Sequence, residues 1–317
     1  MAQIPEACSH KRIDPLFHGK VARITDITCT CPRSPCGQEQ KVADYELVFV
    51  RAGVFVKHHG GTQQRQIAAQ PAHVLFLNRG ETFRTSHPTS RGDVCTVIAF
   101  DPATVREIGT EYAPHAALAR LGPFPASHAL LSPDVVLRMQ RLRLALRTGQ
   151  RVHAPAVVEA EAIALLRMVL RSAWAEHSHW ATRVRRRATD RQRQVVETVK
   201  EALARAPSAA TSLGDLATYT GVSAFYLART FRREAGLPIH QYLLRLRLGT
   251  ALERMSDPTL RLSAIALDAG FSSPSHFTSA FRKTFGVAPT EWRSSVLDST
   301  PGSLTGPDTP AYSQQRS

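Results

Sequence analysis

Gly270-Phe271-Ser272-Ser273-Pro274-Ser275-His276-Phe277-Thr278-Ser279-Ala280-Phe281-Arg282-Lys283-Thr284-Phe285-Gly286-Val287-Ala288-Pro289 is the stretch that decides the fold of the C-terminal third of this 317-residue chain. Leu262 to Ala269 reads as a short helix, and Gly270 permits the tight turn that follows it. Ser275 to Lys283 reads as a second helix, with Phe277 and Phe281 four residues apart on its inner face. Gly286 and then Pro289 close it. The same layout occurs about 50 residues earlier. Ser212 caps a short helix, with Asp215 three residues on. Gly221 breaks that helix, Ser223 caps a second one from Ala224 to Glu234, and Gly236 ends it. Leu213, Leu216 and Ala217 are expected inward, answered by Leu227 and Phe231. Between the two units, Ile239 to Met255 reads as one helix of 17 residues, about 25 Å long. Such a rod can hold two recognition helices roughly one DNA turn, about 34 Å, apart.

Charge follows the same boundary. The formal net charge is +14. Residues 183–296 carry 18 basic and 9 acidic side chains, a net of +9, whereas residues 1–130 carry 14 and 11. Only six of the 40 basic residues are Lys, and Arg suits bidentate contact with phosphate and guanine. A short helix, a glycine turn and a basic second helix are what a helix-turn-helix needs to enter a major groove. The expected partner is therefore double-stranded DNA. An anionic membrane surface is disfavoured, because no amphipathic anchor accompanies the charge.

The 270–289 stretch resembles the signature of the AraC/XylS family of transcription regulators, and the resemblance covers about 189–296. It implies a bipartite DNA-binding domain of about seven helices and, usually, an activator. By position in that family's motif, Phe225, Ala228 and Arg229 face bases from the first recognition helix, with Arg232 and Arg233 nearer phosphate. Ser275, His276, Thr278 and Ser279 face the groove from the second helix, with Arg282 beside them. Ser279 stands where the family often has Arg, so the second unit is expected to add backbone affinity more than sequence choice.

The N-terminal half has a different texture. Tyr45–Val50, Gly53–His58, Ala72–Leu77 and Cys95–Phe100 read as short strands separated by Gly, Pro and Asn, as in a small barrel or sandwich. This half looks like the cupin-like effector or dimerisation domain of the same family. Pro133 to Thr148 and Pro155 to Trp174 then read as helices that either cover the barrel or form a dimer face. The expected fold class is α+β: a cupin-like β-barrel with a helical pair, then an all-α domain with two helix-turn-helix units. The expected divisions are an irregular Cys-containing segment over 1–40, the cupin-like domain over 41–177, and a linker over 178–190 holding Arg183, Arg185, Arg186 and Arg187. The DNA-binding domain follows over 191–296, and a tail rich in Ser, Thr, Pro and Gly over 297–317.

The five cysteines are Cys8, Cys29, Cys31, Cys36 and Cys95. An odd count without a secretion signal argues against a disulfide framework. Cys29, Cys31 and Cys36 are dense enough to hold zinc, with Cys95, Cys8 or His87 as a further ligand; the competing reading is free thiols, with no cofactor. His58 and His59 are adjacent in a strand, point to opposite faces, and do not share an ion. No apolar run is long enough to span a membrane, and the N-terminus lacks a secretory signal pattern, so the cytoplasm is the expected compartment.

These readings converge on a sequence-specific transcription regulator, an activator rather than an enzyme. Its N-terminal domain would sense a small-molecule effector or pair with a second copy as a homodimer, and RNA polymerase is an expected partner. No effector-binding residue is legible. The alternative is a DNA-repair methyl acceptor that uses Cys29, Cys31 or Cys36.

Overall fold

A computed structural model describes residues 11–31, 33, 37–59, 66–71, 73–90, 92–149, 154–182 and 189–297. Two antiparallel sheets form the N-terminal half. The larger has strand order β1 (Lys11–His18), β2 (Ala22–Cys29), β9 (Asp93–Phe100), β4 (Tyr45–Gly53), β7 (His73–Leu77) and β10 (His128–Leu130). The smaller runs β3 (Gln40–Lys41), β8 (Thr82–Ser86), β5 (Phe55–His59) and β6 (Gln66–Ala69). The run Leu47-Val48-Phe49-Val50 in β4 is apolar at every position because both faces of its strand are covered. Val48 and Val50 point between the sheets, with Phe55, Ile67 and Leu75. Leu47 and Phe49 point the other way, with Phe76 and Phe100, onto a helical layer. That layer is α1 (Pro102–Thr110), α2 (His115–Leu121), α3 (Pro133–Thr148) and α4 (Pro155–Thr182).

Four sequence expectations need correction. Residues 11–29, expected within an irregular segment, form β1 and β2. Pro15 misled there: β1 is an edge strand with a register shift between Pro15 and Phe17, where a missing N–H costs the ladder nothing. The linker expected over 178–190 is helical up to Thr182 in α4 and again from Asp190 in α5 (Asp190–Arg205). Its Arg183, Arg185, Arg186 and Arg187 lie outside the described residues, as do Cys8, Cys36 and the 298–317 stretch. The helical pair covers the sheet: Val135, Met139 and Leu142 of α3, and Leu165, Leu166 and Leu170 of α4, are buried in one cluster with it. The buried apolar faces of α3 and α4 are therefore used within the chain. Leu213, expected inward, is 40% exposed at the first position of its helix.

The C-terminal domain has seven helices: α5, α6 (Leu213–Thr220), α7 (Ala224–Ala235), α8 (Ile239–Arg254), α9 (Leu262–Asp268), α10 (Pro274–Phe285) and α11 (Pro289–Leu297). It rests directly on the barrel. On the face of α3 away from the sheet, Leu137 and Leu144 join Phe277, Phe281 and Trp292 in one core. Val54, from the β4–β5 turn, joins the core of α5 to α8. Gly249 of α8 leaves room for Pro71: a Cβ there would stand 2.8 Å from the Pro71 Cβ.

Buried charge fixes this docking. The Asp26 carboxylate of β2 accepts from Arg143 Nε of α3 at 2.7 Å and from Thr96 Oγ1 of β9 at 2.7 Å. Arg51 of β4 lies 3.3 Å from Asp26 and also pairs with Glu253 of α8. Gln140 of α3 donates to that same Glu253 at 3.2 Å. The Arg51 and Arg143 side chains are each 2% exposed, so loss of one anion strands a buried cation. Asp26→Ala is expected to destabilise the chain by about 3–5 kcal/mol. Urea unfolding checks this, and a midpoint equal to wild type would contradict it.

Burial, reinforced by the nearby Asp44 carboxylate, pushes Glu46 up from 4.5 to about 7. Between those values the folded chain keeps a proton that the unfolded chain releases, so stability falls as pH rises through the window. Glu46→Gln is expected to flatten that fall. The test is unfolding free energy at about pH 5 and about pH 8, where an unchanged difference would contradict the assignment.

Candidate nucleic-acid interface

Each helix-turn-helix is built from local signals. In α6, the Ser212 hydroxyl accepts from the Asp215 N–H at 3.1 Å, and the Asp215 carboxylate accepts from the Ser212 N–H at 2.9 Å. Gly221 caps the helix with φ +66°, in the left-handed region. Ser223 Oγ accepts from the Tyr226 N–H at 3.2 Å and starts α7. Leu227 and Phe231 are fully buried, which turns the opposite side of α7 outward. Phe225 is 77% exposed. Arg229, Arg232 and Arg233 are exposed, and Ala228 is half-buried.

The second unit repeats this construction. Ser273 Oγ accepts from the His276 N–H at 3.1 Å and starts α10, with Pro274 in its first turn. Phe271, Phe277, Phe281 and Phe285 form a ladder of ring contacts along the inner side, with centroids 5.2, 5.6 and 4.6 Å apart. Edge-to-face pairs of this kind add to area burial. The ladder leaves Ser275, His276, Thr278, Ser279 and Arg282 exposed. Gly270, at φ +91°, has no space for a side chain: a Cβ would stand 2.5 Å from the Ser208 Cα. Arg247 of α8 donates to the Pro207 and Ala209 carbonyls at 2.7 and 3.1 Å, so the two units are tied through α8 and the 206–210 turn.

The ten residues expected on this surface are placed by α7 and α10, and nine of them are exposed. They differ in readiness. Among the described residues no ion pair engages Arg229, Arg232 or Arg282. Arg233 is committed, donating to Glu234 at 2.7 Å and to Gln192 of α5 at 2.9 Å. The Thr278 hydroxyl donates to the Pro274 carbonyl at 3.0 Å, which leaves its lone pairs outward as acceptors. Sequence reasoning missed Tyr219, 60% exposed, and Tyr226, 37% exposed, on the same unit. Aromatic residues at polar positions of amphipathic helices were the available signal.

A cavity of about 1120 Å³ opens between the smaller sheet and α5. Its walls include His59, Glu81, Phe124, His128, Glu197 and Lys200. Glu197 accepts from the Ala68 N–H at 2.8 Å and from Lys200 at 2.7 Å, linking β6 to α5. Burial pushes His128 down to about 4 and lowers Lys57, whose ammonium donates to Glu81 at 2.6 Å. Burial works against ionising Glu81, yet the hydrogen bond from His59 and the charge of Lys57 hold it down at about 2. His58 faces away, to Ser86 at 2.7 Å, so the two histidines do part as expected.

The cysteines divide. Cys29 and Cys31 meet His87 within 4.8 Å, the one such group among the described residues. Cys95 stays outside it, buried between the sheets with its thiol donating to Asp93 at 3.2 Å; burial pushes that thiol well up. Cys31 is disulfide-bonded. The hydrogen bond to Asp93, then that to Cys29, raises His87 to about 9.

Residues 216–295 match the helix-turn-helix domain family. AarP, a transcriptional activator of Providencia stuartii, is 32% identical over 82 residues, 26% of this chain and 61% of that protein. The transcriptional activator RhaR of Mannheimia succiniciproducens is 31% identical over 102 residues, 32% of this chain and 37% of that protein. The melibiose operon regulatory protein of Escherichia coli is 33% identical over 84 residues, 26% and 28% of the two chains. The chain thus spans less than two thirds of each of these relatives. The solved structure of ToxT from Vibrio cholerae aligns over 86% of this chain and 98% of that one, at 11% identity and a TM-score of 0.34, too slight a likeness to transfer anything. The match spans both helix-turn-helix units and the rod between them, so residues 216–295 are similar to the helix-turn-helix domain of proteins that are transcription regulators by name.

Proposed function

We propose that this chain binds double-stranded DNA sequence-specifically and activates transcription in the cytoplasm, with RNA polymerase as its partner and no catalytic step of its own. The observation that carries this reading is the pair of helices α7 and α10. Each is anchored by buried apolar side chains inside and presents Arg outside, with short polar side chains beside it on α10. Two regularly spaced basic helices on one rod fit successive major grooves on one face of a duplex. The names of the relatives, two of them activators, support the direction of regulation. The methyl-acceptor alternative gains no support, since Cys29 lies at the end of a barrel strand and the relatives are regulators.

The cavity between the smaller sheet and α5 is the candidate effector site. It is lined by both domains, so a ligand there would bias how the DNA-binding helices sit on the barrel, which is the requirement for coupling. Its walls pair an aromatic ring, Phe124, with ionisable His59, Glu81 and Lys200, which suits a compact molecule with an apolar body and a polar end. No helix of the described residues is long and apolar enough to cross a membrane. A homodimer would have to use surface other than the buried apolar faces of α3 and α4.

Arg229→Ala is expected to cost about 1–3 kcal/mol of discrimination between operator and unrelated DNA. Arg232→Ala, aimed at phosphate, is expected to weaken all sequences alike and to lower the salt slope by about 1. Fluorescence anisotropy titrations on a selected operator and a scrambled duplex, at two salt concentrations, check both. Equal binding of Arg229→Ala and wild type to the operator would overturn the assignment.

A further inference from the structure

Two sulfurs and one imidazole nitrogen converge at one end of the barrel. Cys29 closes β2, Cys31 follows it, and His87 arrives just after β8. Cys29 Sγ lies 2.7 Å from Cys31 Sγ and 3.3 Å from His87 Nε2. The three residues are 6%, 3% and 9% exposed. The Asp93 carboxylate stands against them, its Oδ1 3.1 Å from His87 Nε2. The backbone is built to allow this approach. Gly92 has φ +67°, and a Cβ on it would stand 1.8 Å from the Cys29 carbonyl oxygen. Gly53 has φ +77°, and a Cβ there would stand 2.2 Å from the Gly92 carbonyl oxygen. Three chain segments are thus pressed together by glycines at the point where the soft donors meet.

We propose that Cys29, Cys31 and His87 form a zinc-binding site, with Asp93 flanking the fourth position. Thiolate sulfur and imidazole nitrogen are the donors zinc selects. On a tetrahedral zinc, with bonds of about 2.3 Å to sulfur and 2.0–2.1 Å to nitrogen, neighbouring S and N ligands stand about 3.5 Å apart and two sulfurs about 3.8 Å. The Cys29–His87 spacing of 3.3 Å already matches, and the two sulfurs need to part by about 1 Å to admit the ion. A site this enclosed would hold β2 to the β8–β9 connection, acting as a structural clamp.

Cys31 is disulfide-bonded in this structure, so the zinc form belongs to the reduced chain. A dithiol reductant converts that disulfide to two thiols and becomes a disulfide itself. Cys29 Sγ, Cys31 Sγ and His87 Nε2 then each release a proton to solvent as they bind the cation. Oxidation and metal binding therefore exclude one another at Cys31.

The test uses untagged full-length protein, reduced with a phosphine, stripped with a chelator and titrated with cobalt and then zinc. The expected result is one cobalt per chain with an intense thiolate-to-cobalt charge-transfer band, displaced by zinc. Cys29→Ser and His87→Ala are expected to weaken zinc by more than the roughly 10–100-fold typical of changes next to a ligand. Cys95→Ser is expected to leave affinity unchanged. Circular dichroism establishes that each variant is folded. Should a variant fail to fold, X-ray absorption on zinc-loaded wild type decides, with two sulfurs and at least one nitrogen expected. Absence of bound metal, zinc affinity unaltered in folded Cys29→Ser or His87→Ala, or a sulfur-free ligand shell would each overturn the proposal.

Discussion

Four charges buried between the two domains set the arrangement of everything else. Asp26, Arg51 and Arg143 are almost wholly withdrawn from water, and Glu253 is largely so. Desolvating such groups is costly unless each finds a partner of opposite sign. The partners come from β2, β4, α3 and α8, so the requirement is met only when α8 lies across the barrel with α3 beside it. Mismatched docking would strand an arginine in the core. Charge matching of this kind contributes little net stability and much selectivity for one arrangement.

That arrangement gives α3 two unlike duties. One side of it closes the core beneath the larger sheet, and the other completes the core of the second helix-turn-helix. Leu137 and Leu144, seven residues apart, lie on the side turned from Val135, Met139 and Leu142, as helical periodicity requires. Arg141 of the same helix rests over the Trp292 ring at 5.0 Å. The outward surface of α10 thereby inherits its support from the N-terminal domain, and the cavity beside α5 sits next to that junction.

Local signals were legible in the sequence and distant ones were not. Ser212, Ser223, Gly221 and Gly286 act on residues three or four positions away, so caps, turns and outward faces of α6, α7 and α10 could be read directly. The strand run Tyr45–Val50 was legible for the same reason. Pro15 concealed β1, because only the sheet order reveals it as an edge strand. The Asp26–Arg143 pair spans 117 residues, and nothing in either neighbourhood announces the other. The cavity is likewise assembled from β5, β6, α4 and α5, each ordinary alone. His87 was one of several candidate partners for the thiols; the glycine-mediated approach of residue 92 to residue 29 is what selects it.

The pinned rod α8 has a mechanical corollary. Anchored by Glu253 near one end and by Tyr242, hydrogen-bonded to Gln70, near the other, it cannot bend or slide without breaking contacts with the barrel. The separation of the two groove-facing helices is then a property of the protein, and the duplex must supply any adjustment. Sequences that curve or twist readily between the two contacted grooves would be favoured at base pairs no side chain touches.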